Sequence, residues 1–323
     1  MPLVLCSWLF AAKSDSNPLT RKCASIIEPN PDAGKSRMSE SIAETLLKAT
    51  RTLSAAGITE ARLDAGLLLA NFLGKDRTFL ITHSADLVDD EQNAAFQERV
   101  RRRAEGEPLQ HITSVQEFYG LTFEVSSAAL IPRPETELLV ECALEAIDKL
   151  GETPFVLDVG TGTGCIPIAL LHERPSIHAV AVDLSPAAIQ LAQRNAIRNS
   201  VRERIPFLVG DALSAFRDRP FFDVVVSNPP YIPDADWETL QREVRDHEPR
   251  LALTSGNDGL DMIRRLLTET APHIREDGYF IFEIGYGQLA AVEQMINNQV
   301  WQTITVRSDL QRIPRTLVLR KRP

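Results

Sequence analysis

Phe155-Val156-Leu157-Asp158-Val159-Gly160-Thr161-Gly162-Thr163-Gly164 is an apolar, β-branched run that ends in three alternating glycines. A run of this kind, with no regular polar alternation, predicts a strand covered on both faces, as in parallel sheets. The glycines then fall at the carboxyl edge of the strand, where backbone can approach a ligand closely. Residues 165–172 read as the helix that follows, and Pro167 lies in its first turn, where a missing amide hydrogen costs little. Outward from this unit the texture repeats. Strand candidates at 179–182, 206–209, 223–227 and 279–284 alternate with helix candidates at 186–199, 236–246 and 258–272. That alternation predicts an α/β, doubly wound, Rossmann-like sheet, mostly parallel. Two late strands, around 301–306 and 316–319, are expected to close its edge, one of them antiparallel.

Upstream of the sheet the period changes. Ile42, Leu46, Leu47 and Leu53 fall at helical spacing, and Gly57 supplies a stop. Further helical patterns cover 62–72, 76–82 and 90–105, so residues 38–110 read as a small helical domain. The Arg101-Arg102-Arg103 run within it reads as a solvated helix face. Over 111–134 the pattern alternates instead, with Phe118, Leu121, Phe123 and Val125 around a Tyr119-Gly120 turn, which predicts a connecting β-hairpin. The catalytic domain is expected over 135–323, opening on a helix. Residues 1–37 are expected to be a disordered leader, with Met38 as the working start. Their short apolar stretch at 3–12 has no Lys or Arg before it, which makes a poor signal peptide, and a transit peptide is the weaker alternative.

At 323 residues the chain is long enough for two domains that each bury a core. Its 44% hydrophobic and 24% charged residues are an ordinary globular composition. A net charge of −9 argues against holding duplex nucleic acid by phosphate neutralisation, so no stable nucleic-acid partner is expected. No apolar run approaches the roughly 20 residues of a membrane helix. Cys6, Cys23, Cys142 and Cys165 are scattered without a C-x-x-C pair, which fits neither a disulfide framework nor a metal site, so a cytoplasmic location is expected. Cys165 reads as a small core filler.

The glycine loop is G-x-G-x-G rather than a dinucleotide fingerprint, and no Gly-Lys-Ser/Thr follows, which disfavours NAD and ATP. Asp183 ends the second strand about 20 residues beyond the glycines, where a carboxylate can take both hydroxyls of a ribose. Asp211, in Gly210-Asp211-Ala212, ends the third strand at a position suited to an adenine amine. Singly, the loop reads as a tight turn and each aspartate as a helix cap. In register at three strand ends they predict a nucleoside-bearing cofactor.

The fourth strand ends in Ser227-Asn228-Pro229-Pro230-Tyr231-Ile232. A structural reading exists, in which two prolines stop a strand and the asparagine satisfies a turn. The chemical reading is that the Asn228 side-chain oxygen and the Pro229 carbonyl both accept from one NH₂ group, with Tyr231 flat against the planar group that carries it. An amide nitrogen is a poor nucleophile because its lone pair is delocalised, and twisting a peptide out of that resonance costs roughly 18–20 kcal/mol. Two acceptors that polarise the N–H bonds help release the pair, and alignment against an activated methyl supplies about 7–11 kcal/mol. Positioning then dominates, and no strong base is needed. With the cofactor loop, this predicts an S-adenosylmethionine-dependent methyltransferase acting on a planar amide or amine nitrogen.

The chain resembles the PrmC (HemK) family of peptide chain release factor glutamine methyltransferases from about residue 39 to 321. The resemblance rests on Asn228-Pro229-Pro230-Tyr231, the glycine loop, Gly106-Glu107-Pro108-Leu109-Gln110-His111-Ile112, Glu117-Phe118-Tyr119-Gly120-Leu121, Leu130-Ile131-Pro132-Arg133-Pro134-Glu135-Thr136-Glu137, Asp258-Gly259-Leu260-Asp261 and Glu283-Ile284-Gly285. It implies transfer of a methyl group to the glutamine side chain in the Gly-Gly-Gln motif of class 1 release factors. It implies cofactor contacts at Gly160, Thr161, Gly162, Thr163, Gly164, Asp183, Asp211, Ala212 and Asn228. Asn228, Pro229, Pro230 and Tyr231 would receive the glutamine, and the helical domain would grip the protein substrate. Ala212 stands where some relatives carry an aromatic residue, and Arg312-Ile313-Pro314-Arg315 replaces a glycine-containing turn. Two rivals are an adenine methyltransferase acting on DNA or RNA after base flipping, and a binding module that kept only the fold. The acidic balance disfavours the first. Retention of Asn228 and the glycines disfavours the second.

Overall fold

The computed structural model describes residues 39–323, and the expectations for residues 1–37 and for Met38 lie outside them. The amino-terminal part is built from α1 (Ile42–Ala55), α2 (Ala61–Leu73), α3 (Arg77–Thr82), α4 (Asp90–Ala104) and α5 (Leu109–Thr113). Ser41 and Glu44 form a reciprocal capping box that starts α1, and Asp76 and Asp89 cap α3 and α4. Leu53, Leu68, Leu69, Phe96, Val100 and Ile112 form its separate core. A two-residue antiparallel ladder, β1 (Glu40–Ser41) with β2 (Leu87–Val88), is too short to show a period in sequence.

The arginine run is not one solvated face. Arg101 is exposed, with Glu98 and Glu105 as partners. Arg103 is buried, and bonds Asp64 at 2.7 Å and Glu243 of the catalytic part at 2.9 Å. This ion pair joins the two parts of the chain.

The hairpin consists of β3 (Val115–Phe118) and β4 (Leu121–Glu124), joined by Tyr119 and Gly120 at φ 51° and 72°. Both central residues at positive φ make the type I′ turn that matches strand twist. The hairpin is more than a connector, because Phe118 and Phe123 belong to the same core as Val156, Leu170 and Ala181. Asn195, fully buried, fastens it by accepting from the Glu124 amide at 2.7 Å and donating to the Glu124 carbonyl at 2.9 Å and the Thr163 carbonyl at 3.0 Å.

The remainder is a three-layer α/β/α domain. In chain order it runs α6 (Glu137–Ile147), β5 (Phe155–Val159), α7 (Cys165–Glu173), β6 (His178–Asp183), α8 (Pro186–Arg198), β7 (Phe207–Val209), β8 (Phe222–Ser227), α9 (Arg242–His247), α10 (Asp261–Glu269), β9 (Ile274–Glu283), α11 (Leu289–Met295), β10 (Trp301–Ser308) and β11 (Pro314–Lys321). The seven strands lie in the order β10-β11-β9-β8-β5-β6-β7, and β11 pairs antiparallel with both neighbours while the rest are parallel. Alternate residues feed two cores: Val156, Ala181, Val224 and Ile281 on one face, Leu157, Val182, Val225 and Phe280 on the other.

Two expected helices differ. The stretch 236–246 is a 3-10 segment (Asp234–Thr239) followed by α9, and neither buries a residue, so no apolar face holds a continuous helix. The helix expected over 258–272 covers only Asp261–Glu269, and Gly259, at φ 75°, is outside right-handed helical backbone. Among the described residues no helix is long and apolar enough to cross a membrane, and no group of His, Cys, Asp and Glu could hold a metal ion.

The buried Arg103 pair yields a stability prediction. Asp64→Leu should cost about 3 kcal/mol, the lower end of the range for stripping one partner from a buried pair, since Glu243 remains. Adding Arg103→Met should recover most of that loss in urea denaturation. Additive losses would show that the pair itself is not the unit.

Candidate active site

A cavity of about 410 Å³ opens over the carboxyl ends of β5, β6, β7 and β8. β5 pairs with β6 on one side and β8 on the other, so the chain departs in opposite directions there and leaves a crevice. Gly160, Thr161, Gly162 and Thr163 line it from β5, Asp183 from β6, and Asp211 and Ala212 from β7. Asn228, Pro229 and Pro230 line it from β8.

Gly164 and Tyr231 lie beside these residues in sequence but are not among those that line the cavity. Gly164 is the N-cap of α7 at φ 80°, where a Cβ would meet the Ile168 side chain at 3.0 Å and Ala192 at 3.1 Å, so its smallness serves helix packing. The Tyr231 hydroxyl donates to Glu283 Oε1 at 3.2 Å, and its ring packs on Gly285, where a Cβ would lie 3.0 Å from Tyr231 Cδ2. The Tyr231 carbonyl accepts from Gln288 Nε2 at 2.8 Å.

Asp183 accepts from the Gly162 amide through Oδ2 and the Ser185 amide through Oδ1, both at 2.8 Å. These bonds fix the carboxylate and leave acceptor capacity on each oxygen. Burial raises its pKa against the pull of the two amides. Asp211 is more exposed and is held by Arg265, whose Nη1 donates to Oδ1 at 2.5 Å. Asp158 lies beneath the loop, fully buried, with no described group donating to either oxygen. Burial pushes it up to about 7, opposed by the nearby Thr161 hydroxyl. Burial likewise pushes the Cys165 thiol up to about 12, which suits a core filler rather than a nucleophile.

At the end of β8 the polar groups form one relay. Asn228 Nδ2 donates to Thr136 Oγ1 at 2.9 Å, and Thr136 Oγ1 donates to Glu283 Oε2 at 2.7 Å. Glu283, at the end of β9, is 1% exposed. Asn228 Oδ1 is shielded from water, and no described group donates to it. Nor does any described group donate to the Pro229 carbonyl. Farther along the wall, Glu248 is buried, accepts from the Ile131 amide at 3.2 Å and pairs with Arg133, which lines the cavity.

Comparison with known proteins shows the family. Residues 44–113 match the PrmC N-terminal domain family, and residues 134–252 match the methyltransferase small domain. The chain is 44% identical over 275 residues to a release factor glutamine methyltransferase of Koribacter versatilis, covering 84% of this chain and 96% of that relative. It is 40% identical over 287 residues to the protein of the same name from Bradyrhizobium diazoefficiens, covering 87% and 96%. The chain belongs to the release factor glutamine methyltransferase family. Thr136 and Glu283 stand in the two stretches, 130–137 and 283–285, on which the resemblance rested, and the fold brings them together against Asn228. Glu248 and Arg265 gave no comparable local signal.

Burial pushes Glu283 from an ordinary 4.5 up to about 7, with Thr136, Tyr231 and Arg315 opposing and Glu135 reinforcing the rise. A carboxyl with a raised folded pKa keeps its proton longer in the folded state, so stability falls as pH rises from 4.5 to about 7. The full loss is about 3 kcal/mol at 1.36 kcal/mol per unit. Asp158 titrates over the same range. Subtracting the unfolding free energies of Glu283→Gln from those of the parent across pH 4.5–8 should therefore isolate a falling difference; a flat difference would place Glu283 at an ordinary pKa.

Proposed function

We propose that the protein transfers a methyl group from S-adenosylmethionine to the side-chain amide nitrogen of the glutamine in the Gly-Gly-Gln motif of class 1 release factors, and so modulates translation termination. The observation that carries the reading is Asn228, a cavity-lining amide whose NH₂ is committed to Thr136 and whose oxygen has no donor. A buried acceptor without a partner costs about 1–3 kcal/mol and favours an incoming N–H. The Pro229 carbonyl offers a second acceptor one residue on. Together they suit the two hydrogens of an NH₂ group.

The residues fit the cofactor. Asp183 keeps a free acceptor site on each oxygen, suited to two ribose hydroxyls, and the amide of Gly162 fixes it in place. Gly160, Thr161 and Thr163 shape the floor, Asp211 and Ala212 one wall, and Leu184, Met262 and Leu266 add apolar surface for an adenine. When bound, S-adenosylmethionine supplies an electrophilic methyl group. Asn228 and Pro229 orient the substrate amide and stabilise the positive charge that develops on its nitrogen. Tyr231, anchored through its hydroxyl to Glu283, braces the strand end that carries both acceptors. Glu283, the carboxyl of the relay, bonds Thr136 and Tyr231 and is not among the residues that line the cavity, so the proton leaves to solvent after transfer. The helical part, tied through Arg103 to Glu243, offers the protein substrate a surface fixed relative to the site.

Labelled S-adenosylmethionine should mark a class 1 release factor, and replacing the glutamine of its Gly-Gly-Gln motif should abolish the label. Label entering DNA or RNA, with none in the release factor, would sink the assignment. Asn228→Ala should lower kcat by about 10²–10³, the range for losing one preorganised polar contact to developing charge. Cofactor affinity by calorimetry should change far less.

A further inference from the structure

We propose that Thr136 and Glu283 are positioning residues that decide which end of the Asn228 amide is offered to the substrate, so that one carboxyl proton controls the acceptor polarity of the site. The inference rests on the methyl-transfer reading above. An asparagine amide has an acceptor end and a donor end of nearly the same shape. Rotated by half a turn, Asn228 would present hydrogens to the substrate NH₂ and repel it. Something must therefore choose.

The choice is made by counting protons. Thr136 has one hydroxyl hydrogen, and its oxygen lies 2.7 Å from Glu283 Oε2 and 2.9 Å from Asn228 Nδ2. An ionised carboxylate only accepts, so the Thr136 hydrogen goes to Glu283. The Thr136 oxygen then faces Asn228 as an acceptor, and only the NH₂ end of the amide satisfies it. Oδ1 is left as the free end. The opposite arrangement follows from one added proton. A protonated Oε2 donates to Thr136, the hydroxyl hydrogen turns toward Asn228, and the amide is drawn round with its oxygen on Thr136.

The surroundings put that proton within reach. Glu283 is 1% exposed, and its other oxygen accepts from Tyr231 at 3.2 Å. From β11, Arg315 favours the ionised form; from the turn before α6, Glu135 opposes it. Burial outweighs the favourable groups and brings the carboxyl to about 7. The relay therefore changes hands in the neutral range.

The test is kcat against pH, with release factor and S-adenosylmethionine both saturating. The parent should lose turnover roughly tenfold per pH unit below about 7, as for one essential ionised group. Thr136→Val should be slower by about tenfold or more at pH 8, and should lack that acid limb while binding cofactor normally by calorimetry. Thr136→Ser should restore both rate and limb, and Glu283→Gln should remove the limb. A parent without the limb, a Thr136→Val enzyme at the parental rate, or a limb that survives in Thr136→Val or Glu283→Gln would each overturn the relay. A parent that leaves the release factor unlabelled would instead overturn the proposed function.

Discussion

β5 is paired in parallel on both edges, with β6 along one and β8 along the other, and the site follows from that constraint. Asp158 stands level with Ala181 of β6 and with Val226 of β8, so the three strands end at one edge of the sheet. The glycine loop follows β5 directly, Asp183 is the last residue of β6, and Asn228 is the first residue after β8. Parallel pairing also demands cover on both faces, which α6, α7 and α8 with the hairpin supply on one side and α10 and α11 on the other. The layers that make the sheet stable leave open only the edge at which the chain reverses its direction of winding.

The hairpin connects that edge to the rest of the chain. Asn195 holds the β4 backbone and the Thr163 carbonyl with the same side chain, so the hairpin and the glycine loop share a support. The stretch after the hairpin then runs along the cavity, carries Arg133 to Glu248, and delivers Thr136 to Asn228 and Glu283. The segment between the two parts of the chain is thus a wall of the site as well as a link.

The central strands are legible where each is a short apolar run bounded by turn residues, and β5 is read to the residue, whereas β9 begins at Ile274 rather than 279 because the exposed Arg275-Glu276-Asp277 interrupt its apolar run. Helices with an apolar stripe were legible for the same reason. The segment after Pro233 was misread as one helix because charge without a buried face leaves no period to test. Most of the expected site residues that line the cavity are visible in the sequence because they are grouped at strand ends. Those that orient them are not. Thr136 lies 92 residues from Asn228 and 147 from Glu283, and Asp64 lies 39 from Arg103, so no local pattern shows that the members of either group meet, even where the stretches that carry Thr136 and Glu283 are recognisable. Gly164 and Tyr231 show that a residue of an expected site motif can also serve the fold, since the smallness of one lets α7 pack and the hydroxyl of the other anchors to a carboxyl.

The polarity of the site explains why its support is so extensive. Methyl transfer to an amide asks for acceptors in place before the substrate arrives, and an acceptor kept dry and unpartnered carries a penalty of about 1–3 kcal/mol. A lone asparagine would relieve that penalty by rotating or by turning to a neighbouring amide. In the proposed relay the rotation is opposed by Thr136, whose one hydroxyl hydrogen goes to Glu283, and the ionised Glu283 this needs is favoured by the Tyr231 hydroxyl and disfavoured by burial. On the proposed function, that penalty is retained until a substrate NH₂ group satisfies it. Since the partner bonds strengthen as positive charge grows on the nitrogen, the same restraint favours the transition state over the bound amide.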